Sequence, residues 1–360
     1  MTKVKILGAG SIGNHLANAA RTKGWQVTLC DIDPAALERT RNDIYPARYG
    51  SWDEAIQLIQ AEETEPGKYD WIFIGTPPDA HVPLALEALE EVPKGILVEK
   101  PFATPGLEGC QRLFDRAKEV GVRIFVGYDH VVAKSAVRYR ELATALSSPQ
   151  TLDVSFREHW QGIFNAHPWL DGPSDTYLGY WKRGGGALGE HSHALNLWQH
   201  IANSIGAGPV VEVTASLDYV QDQPAEYDRL ALLNLRTKNG LMGRVVQDVV
   251  TRPAIKSARL QGIDSAIEWQ CIPAPYADVV RSIGEDVSEE WFEKKRPDDF
   301  IQELDHLEAA LTHDLESPIS IERGLDSMLV IAAAQLSAQL GRRVQIDYSK
   351  GYVPDALVAA

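Results

Sequence analysis

Val4-Lys5-Ile6-Leu7-Gly8-Ala9-Gly10-Ser11-Ile12-Gly13 is the stretch whose reading decides the fold. A short apolar run breaks into a glycine turn, and Asn14–Thr22 continues with helical spacing, ended by Gly24. A bare GxGxxG is a weak signal. Here a strand precedes it, a helix follows it, and Asp31 closes the next apolar run, Gln26–Cys30, 18 residues after Gly13. That is the context a dinucleotide-binding βαβ unit needs. Gly8 permits the tight turn, Gly10 lets backbone approach a pyrophosphate, and Gly13 lets the helix pack on the strand. Ser11 and Ile12 open the helix, whose N-terminus offers amide donors and a partial positive charge to a phosphate. The Asp31 carboxylate suits a ribose 2′-hydroxyl and repels a 2′-phosphate, which favours NAD over NADP. Arg39 and Arg41 lie close in sequence and keep NADP open.

Working outward, apolar runs alternate with helical patterns. Strands are predicted at Trp71–Ile74, Ile96–Val98 and Arg123–Val126, after the first two. Helices are predicted at Pro34–Asn42, Asp53–Ala61 (capped by Ser51), Val82–Glu90 and Leu107–Glu119. Strands that are apolar throughout, joined by helices, build a parallel sheet covered on both faces. After Gly127 the pattern changes. A helix is predicted at Ser135–Leu146, and Leu152–Glu158, Val210–Leu217, Leu230–Arg236 and Gly243–Val249 alternate apolar with polar residues. Alternation buries one face and wets the other. Helices at Phe300–Leu311 and Gly324–Leu340 follow, and the charge run Glu285–Asp299 reads as solvated surface. The fold class is therefore α/β: an N-terminal Rossmann dinucleotide-binding domain (1–127) and a C-terminal α+β domain (128–360) with an open, mostly antiparallel sheet. The second domain is assigned substrate binding and oligomerisation. An open sheet with an uncovered face implies a homodimer or homotetramer.

Composition limits the partners. The chain has 360 residues, 44% of them hydrophobic, with 35 basic against 50 acidic side chains and a net charge of −15. Nucleic acid and anionic membrane surfaces call for a basic footprint, which is missing. Three cysteines without CxxC spacing, no signal-like segment and no long apolar span point to a reducing, cytoplasmic setting.

Two further motifs carry chemistry. Glu99-Lys100-Pro101 follows a predicted strand, and ligands of open α/β sheets bind at the carboxyl ends of strands. Lys100 there is either catalytic or a solvated surface lysine. Gly184–Asn196 holds Glu190-His191-Ser192-His193. At 100° per residue, Leu195, Trp198, Ala202 and Ile205 form an apolar stripe that includes His191. Glu190, His193, Asn196, His200 and Asn203 form the opposite, polar stripe. His191 thus reads as structural and His193 as the acid/base, with Glu190 one turn earlier to orient it or raise its pKa. Five of the ten histidines fall between His159 and His200, but His191 and His193 straddle the helix and no HExxH occurs. No metal is predicted. Trp160, Trp169 and Trp181 lie in loop-like sequence and suit either a sugar face or an interface. Lys182, Arg183 and Arg252 suit either an anionic substrate group or pairing with surface acids.

These signals, in this order, resemble the glucose–fructose oxidoreductase/inositol dehydrogenase family of NAD(P)-dependent oxidoreductases. The carriers are Gly8–Gly13, Thr76-Pro77-Pro78-Asp79-Ala80-His81, Glu99-Lys100-Pro101, Gly127-Tyr128-Asp129-His130 and Gly184–Asn196. The resemblance covers nearly the whole chain, and its most specific element is Glu99-Lys100-Pro101. It implies that Lys100 and His193 are the catalytic pair, with Glu190 in a supporting role. It also implies that Thr76, Pro77, His81, Glu99 and Lys100 line the cofactor groove beside Gly8, Gly10, Ser11, Ile12, Gly13 and Asp31. Asp129, Trp160, Trp169, Lys182, Arg183, Glu190, His193 and Asn196, with Lys100, are the expected substrate residues. Gly189 stands where many members carry an aspartate four residues before the histidine. Asn196 stands where aspartate is frequent, and Asp129 where asparagine is.

The expected activity is oxidation of a secondary hydroxyl of a sugar, sugar derivative or cyclitol, with hydride transfer to NAD. Two alternatives are a non-enzymatic NAD- or sugar-sensing regulator and a reductase of an imine or tetrapyrrole. Neither needs both Lys100 and His193.

Overall fold

The computed structural model describes residues 1–221, 224–272, 277–295 and 298–360. The first half is a six-stranded sheet of β1 (Lys3–Leu7), β2 (Gln26–Asp31), β3 (Ile56–Gln60), β4 (Trp71–Ile74), β5 (Gly95–Val98) and β6 (Arg123–Val126). All its strands are parallel, in the order β3-β2-β1-β4-β5-β6. The four central strands β1, β2, β4 and β5 are buried over most of their length, as sheets covered on both faces require. β3 corrects the predicted helix at Asp53–Ala61. Its Ile56-Gln57-Leu58-Ile59-Gln60 run pairs with β2 on one side only, so its polar positions face solvent at the sheet edge. The helical segments between β2 and β3 supply the crossover that a parallel neighbour demands.

The second half is a ten-stranded sheet. It comprises β7 (Thr151–Arg157), β8 (Val210–Val220), β9 (Tyr227–Thr237), β10 (Met242–Asp248), β11 (Ile255–Gln261), β12 (Ala266–Ile272), β13 (Ala277–Ile283), β14 (Val287–Glu293), β15 (Val344–Ile346) and β16 (Leu357–Ala359). The order is β14-β13-β12-β11-β7-β10-β9-β8-β15-β16. It is antiparallel except for the β7–β10 pair. Sequence reading found β7 to β10 but not β11 to β14. The charge run Glu285–Asp299 is solvated along β14, while its last residue Asp299 turns inward on the helix Asp298–Thr312; Arg296 and Pro297 lie outside the described residues.

The helices Lys134–Ala145, Ser192–Ser204 and Ile321–Leu340 pack against this sheet. Trp198 is fully buried, its indole N–H donating to Leu152 O at 2.8 Å. The C-terminal segment also returns to the first sheet. Val126 N donates to Ile319 O at 2.8 Å, Gly324 leaves room for the Val126 side chain, and Tyr352 N donates to Gln111 Oε1 at 2.8 Å. One apolar core therefore runs through both halves. Among the described residues, no helix is long and apolar enough to cross a membrane.

Candidate active site

The site is built where strand ends of the first sheet meet the helix Ser192–Ser204. The glycine turn forms its floor. Gly8 has φ +103°, and a Cβ there would lie 2.8 Å from Gly75 O. A Cβ on Gly13 would lie 1.9 Å from Gly8 O, so only glycine lets this helix seat on this turn. At Gly10 a Cβ would meet nothing within 4 Å. Open space at a helix N-terminus is what a pyrophosphate requires, so the residues fit a dinucleotide. Asn14 and Thr40 brace the turn: Asn14 Nδ2 donates to Gly10 O and Thr40 Oγ1, and Thr40 Oγ1 donates to Ala9 O. Arg48 donates to Ser11 O and Ser11 Oγ at 2.9 and 2.8 Å. None of these three braces was foreseen. Thr40 and Arg48 come from elements beyond the turn and its helix.

Asp31 accepts from Ala9 N at 2.7 Å and from Asp33 N at 2.9 Å, which fixes its carboxylate beside the turn. Arg39 and Arg41, the residues that kept NADP open, form exposed ion pairs. Arg39 pairs with Asp33 and sits over the Trp169 ring, and Arg41 pairs with Glu54.

Two expected groove residues turn away from it. His81 is buried, with Nε2 2.7 Å from Thr76 O and Nδ1 3.0 Å from Pro101 O. Burial depresses its pKa to about 4, so the neutral ring carries one N–H and donates to one of these two carbonyls, wedged between the β4 and β5 loops. Glu99 is also buried, its carboxylate packed on Gly127 and accepting from Lys100 N. Burial first, then the nearby Asp129 and Glu190, raise its pKa to about 8 against the pull of Lys100. Thr76 and Pro77 remain at the rim, and Thr76 Oγ1 is buried without a partner.

Lys100 leaves β5 through a cis peptide to Pro101 and reaches across to the second half. Its Nζ donates to Glu190 O at 3.0 Å and Glu190 Oε2 at 3.2 Å. Burial opposes its charge, but Glu190, Tyr177 and Glu99 around it raise its pKa above the ordinary lysine value. It is a cation at every working pH.

His193 corrects the helical-wheel reading. His191 breaks the helix between Gly186–Glu190 and Ser192–Ser204, so Glu190 does not sit one turn below His193. His193 instead faces the loop after β6. Its Nδ1 is 3.7 Å from Asp129 Oδ1, and its ring lies 4.2 Å from that of His130 and edge-on to Tyr128. Its pKa is depressed well below the ordinary histidine value rather than raised. Burial is the largest cause, His130, Lys100 and Lys256 add to it, and Asp129 opposes. His191 is buried, as expected of a structural histidine.

Other expected substrate residues are dispersed. Asn196 is buried one turn beyond His193. Trp160 packs in a small cluster with Phe164, Leu178, Ala187 and Val249, so it is structural, not a sugar platform. Trp169 lies over Arg39 of the first half. Lys182 extends into solvent near Glu226, and Arg183 is held by Asp79 at 2.7 Å. Pairing with surface acids is what these two do. The fold thus brings together Lys100, Glu190, Asp129 and His193, and adds His130 and Tyr177, which sequence reasoning passed over.

Residues 2–128 match the model of the Gfo/Idh/MocA family, an oxidoreductase family with an NAD-binding Rossmann fold. No curated protein sequence matches the chain. Solved structures match it over nearly its whole length. An aldose-aldose oxidoreductase from Caulobacter crescentus, complexed with glycerol, is 19% identical with a TM-score of 0.75, covering 96% of this chain and 99% of its own. The WlbA dehydrogenase from Bordetella pertussis, in complex with NADH and UDP-GlcNAcA, is 20% identical with a TM-score of 0.71, covering 96% and 97%. A levoglucosan dehydrogenase in complex with NADH and L-sorbose is 16% identical with a TM-score of 0.76, covering 96% and 98%. At these identities the likeness shows a shared two-part fold.

Proposed function

We propose that this chain, whose dinucleotide-binding domain belongs to the Gfo/Idh/MocA oxidoreductase family, is an NAD-dependent dehydrogenase of a secondary hydroxyl on a sugar, sugar derivative or cyclitol. The observation that supports it is that Lys100, at the end of β5, hydrogen-bonds Glu190, three residues before His193. The reading assigns the dinucleotide to residues 1–127 and the substrate to 128–360. The polyol-type ligands of the similar structures support the substrate class.

Bound NAD supplies the hydride acceptor. His193, neutral because its pKa is depressed, takes the hydroxyl proton. The carbinol C–H and O–H bonds break together and a carbonyl forms. Lys100, always charged, holds the substrate oxygen and stabilises the negative charge that develops on it. Glu190 fixes the Lys100 ammonium in place. Both groups sit on rigid elements, so hydride and proton leave from one geometry.

Lys100→Met and His193→Asn should each lower kcat by roughly 10²–10⁴-fold, with NAD affinity by fluorescence titration nearly unchanged. The assay is nicotinamide absorbance with NAD and a panel of sugars and cyclitols. Wild-type turnover in either variant would sink the assignment. Ligand binding without turnover across the panel would favour the sensing reading instead.

A further inference from the structure

Asp129 and His130 lie side by side after β6, and both face His193. His130 Nδ1 is 2.6 Å from Asp129 Oδ1, and His193 Nδ1 is 3.7 Å from that same oxygen. Two imidazoles therefore converge on one carboxylate atom. The shorter contact is a charge-assisted hydrogen bond; the longer is not a hydrogen bond. His193 Nδ1 is buried with no partner at hydrogen-bond distance. The ring is placed to turn Nδ1–H toward Asp129 and leave Nε2 for a ligand.

We propose that Asp129 is the positioning residue of His193, and that His130 competes with His193 for it. The inference rests on the reading of His193 as the base. Asp129 selects the Nδ1–H tautomer, so that Nε2 is bare and accepts the substrate proton. As the imidazolium forms, the 3.7 Å contact closes and the Asp129 charge balances it. His130 draws on the same charge and keeps the resting His193 a weak base.

Charged groups from the neighbouring elements also act on this trio. From the β5 end come Lys100 and Glu99, from β11 Lys256, from beyond β14 Lys294, and from the helix Asp298–Thr312 Asp299 and Glu303. Asp129 itself raises the pKa of Glu99, Asp299 and Glu303, so changing Asp129 also acts on these carboxyls, whereas changing His130 leaves Asp129 in place. The negative Asp129 raises the His193 pKa and His130 lowers it. Their removal should therefore act in opposite directions, which a merely structural role would not produce.

The test is nitrogen NMR of the histidine rings in the ligand-free protein, with His193 assigned by comparison with His193→Asn. Wild type should show His193 mainly as the Nδ1–H tautomer at neutral pH. Asp129→Asn should lose that preference and cut kcat, while Asp129→Glu restores part of both. His130→Gln should raise the His193 pKa by about one pH unit, moving the acid limb of kcat to higher pH. Variants that shift His193 in the same direction, or not at all, would overturn the proposal. So would a metal removed by EDTA whose loss changes the His193 resonances. Wild-type turnover in His193→Asn would instead defeat the parent reading, while the NMR result still judges this one.

Discussion

Asp31 shows how much one carboxylate decides. It is held by two backbone amides beside the glycine turn, while the nearby arginines are occupied by Asp33 and Glu54. Arg39 and Arg41 would have to leave these carboxylates to receive a 2′-phosphate. The change Asp31→Asn removes the charge and one of two acceptors, since Oδ2 takes the Ala9 amide and Oδ1 the Asp33 amide. Hydrogen bonds to charged groups are worth about 1.5–3 kcal/mol, so NAD affinity should fall by roughly 10–100-fold. NADP affinity should rise as the repulsion vanishes. Titrating both dinucleotides by fluorescence measures the ratio, and an unchanged NAD to NADP preference would refute the role. His81 marks the opposite case. The resemblance placed it in the groove, but it is buried with a ring nitrogen against each of two backbone carbonyls. Sequence position shows that a residue is near a site, not which way it faces.

The glycine turn separates folding from binding at the scale of an element. Gly13→Ala pushes a Cβ to 1.9 Å from a backbone oxygen that cannot move aside. Overpacking of that kind costs about 1–3 kcal/mol, so the melting temperature should drop and NAD binding weaken with it. Gly10→Ala has room in the free protein and an ordinary φ of −79°. It should leave the melting temperature unchanged and still impair NAD binding, because the new methyl occupies the pyrophosphate approach. Thermal melts with and without NAD distinguish the two, and equal destabilisation by both would contradict this account. The turn and its flanking strands were legible because their spacing is a local physical requirement. β3 was not, since Ile56–Gln60 is short, half-polar and flanked by helix-compatible residues; only its pairing with β2 makes it a strand. The same limit applies to the site. Lys100 and His193 are singled out by their motifs together with the family resemblance. Glu190 as the partner of Lys100, and Asp129 with His130 beside His193, arise only where β5, β6 and the helix Ser192–Ser204 converge.

At the scale of the molecule, the ten-stranded sheet has one face covered by helices and one left open. On the open face, Leu232 is cross-strand to Val246, Asn234 to Arg244 and Arg236 to Met242. Arg244 in turn pairs with Asp153 on β7. Leu232 and Met242 are 43% and 50% exposed, set among charge pairs rather than alone. We propose that a second copy of the chain covers this face, burying the two apolar side chains and surrounding them with those pairs. A face shared by two copies must be self-complementary, and interleaved opposite charges meet that condition where a single-sign surface would not. The net charge of −15 disfavours association in general, so the contact must be local and specific. Sedimentation equilibrium at micromolar concentration should return a dimer or tetramer of the 39.7 kDa chain. Leu232→Asp with Met242→Asp places like charges at its centre and should shift the species toward monomer with the fold intact by circular dichroism. A wild-type monomer at that concentration would overturn the assembly. It would leave the dehydrogenase reading untouched, because Lys100, Glu190, Asp129 and His193 all come from one chain.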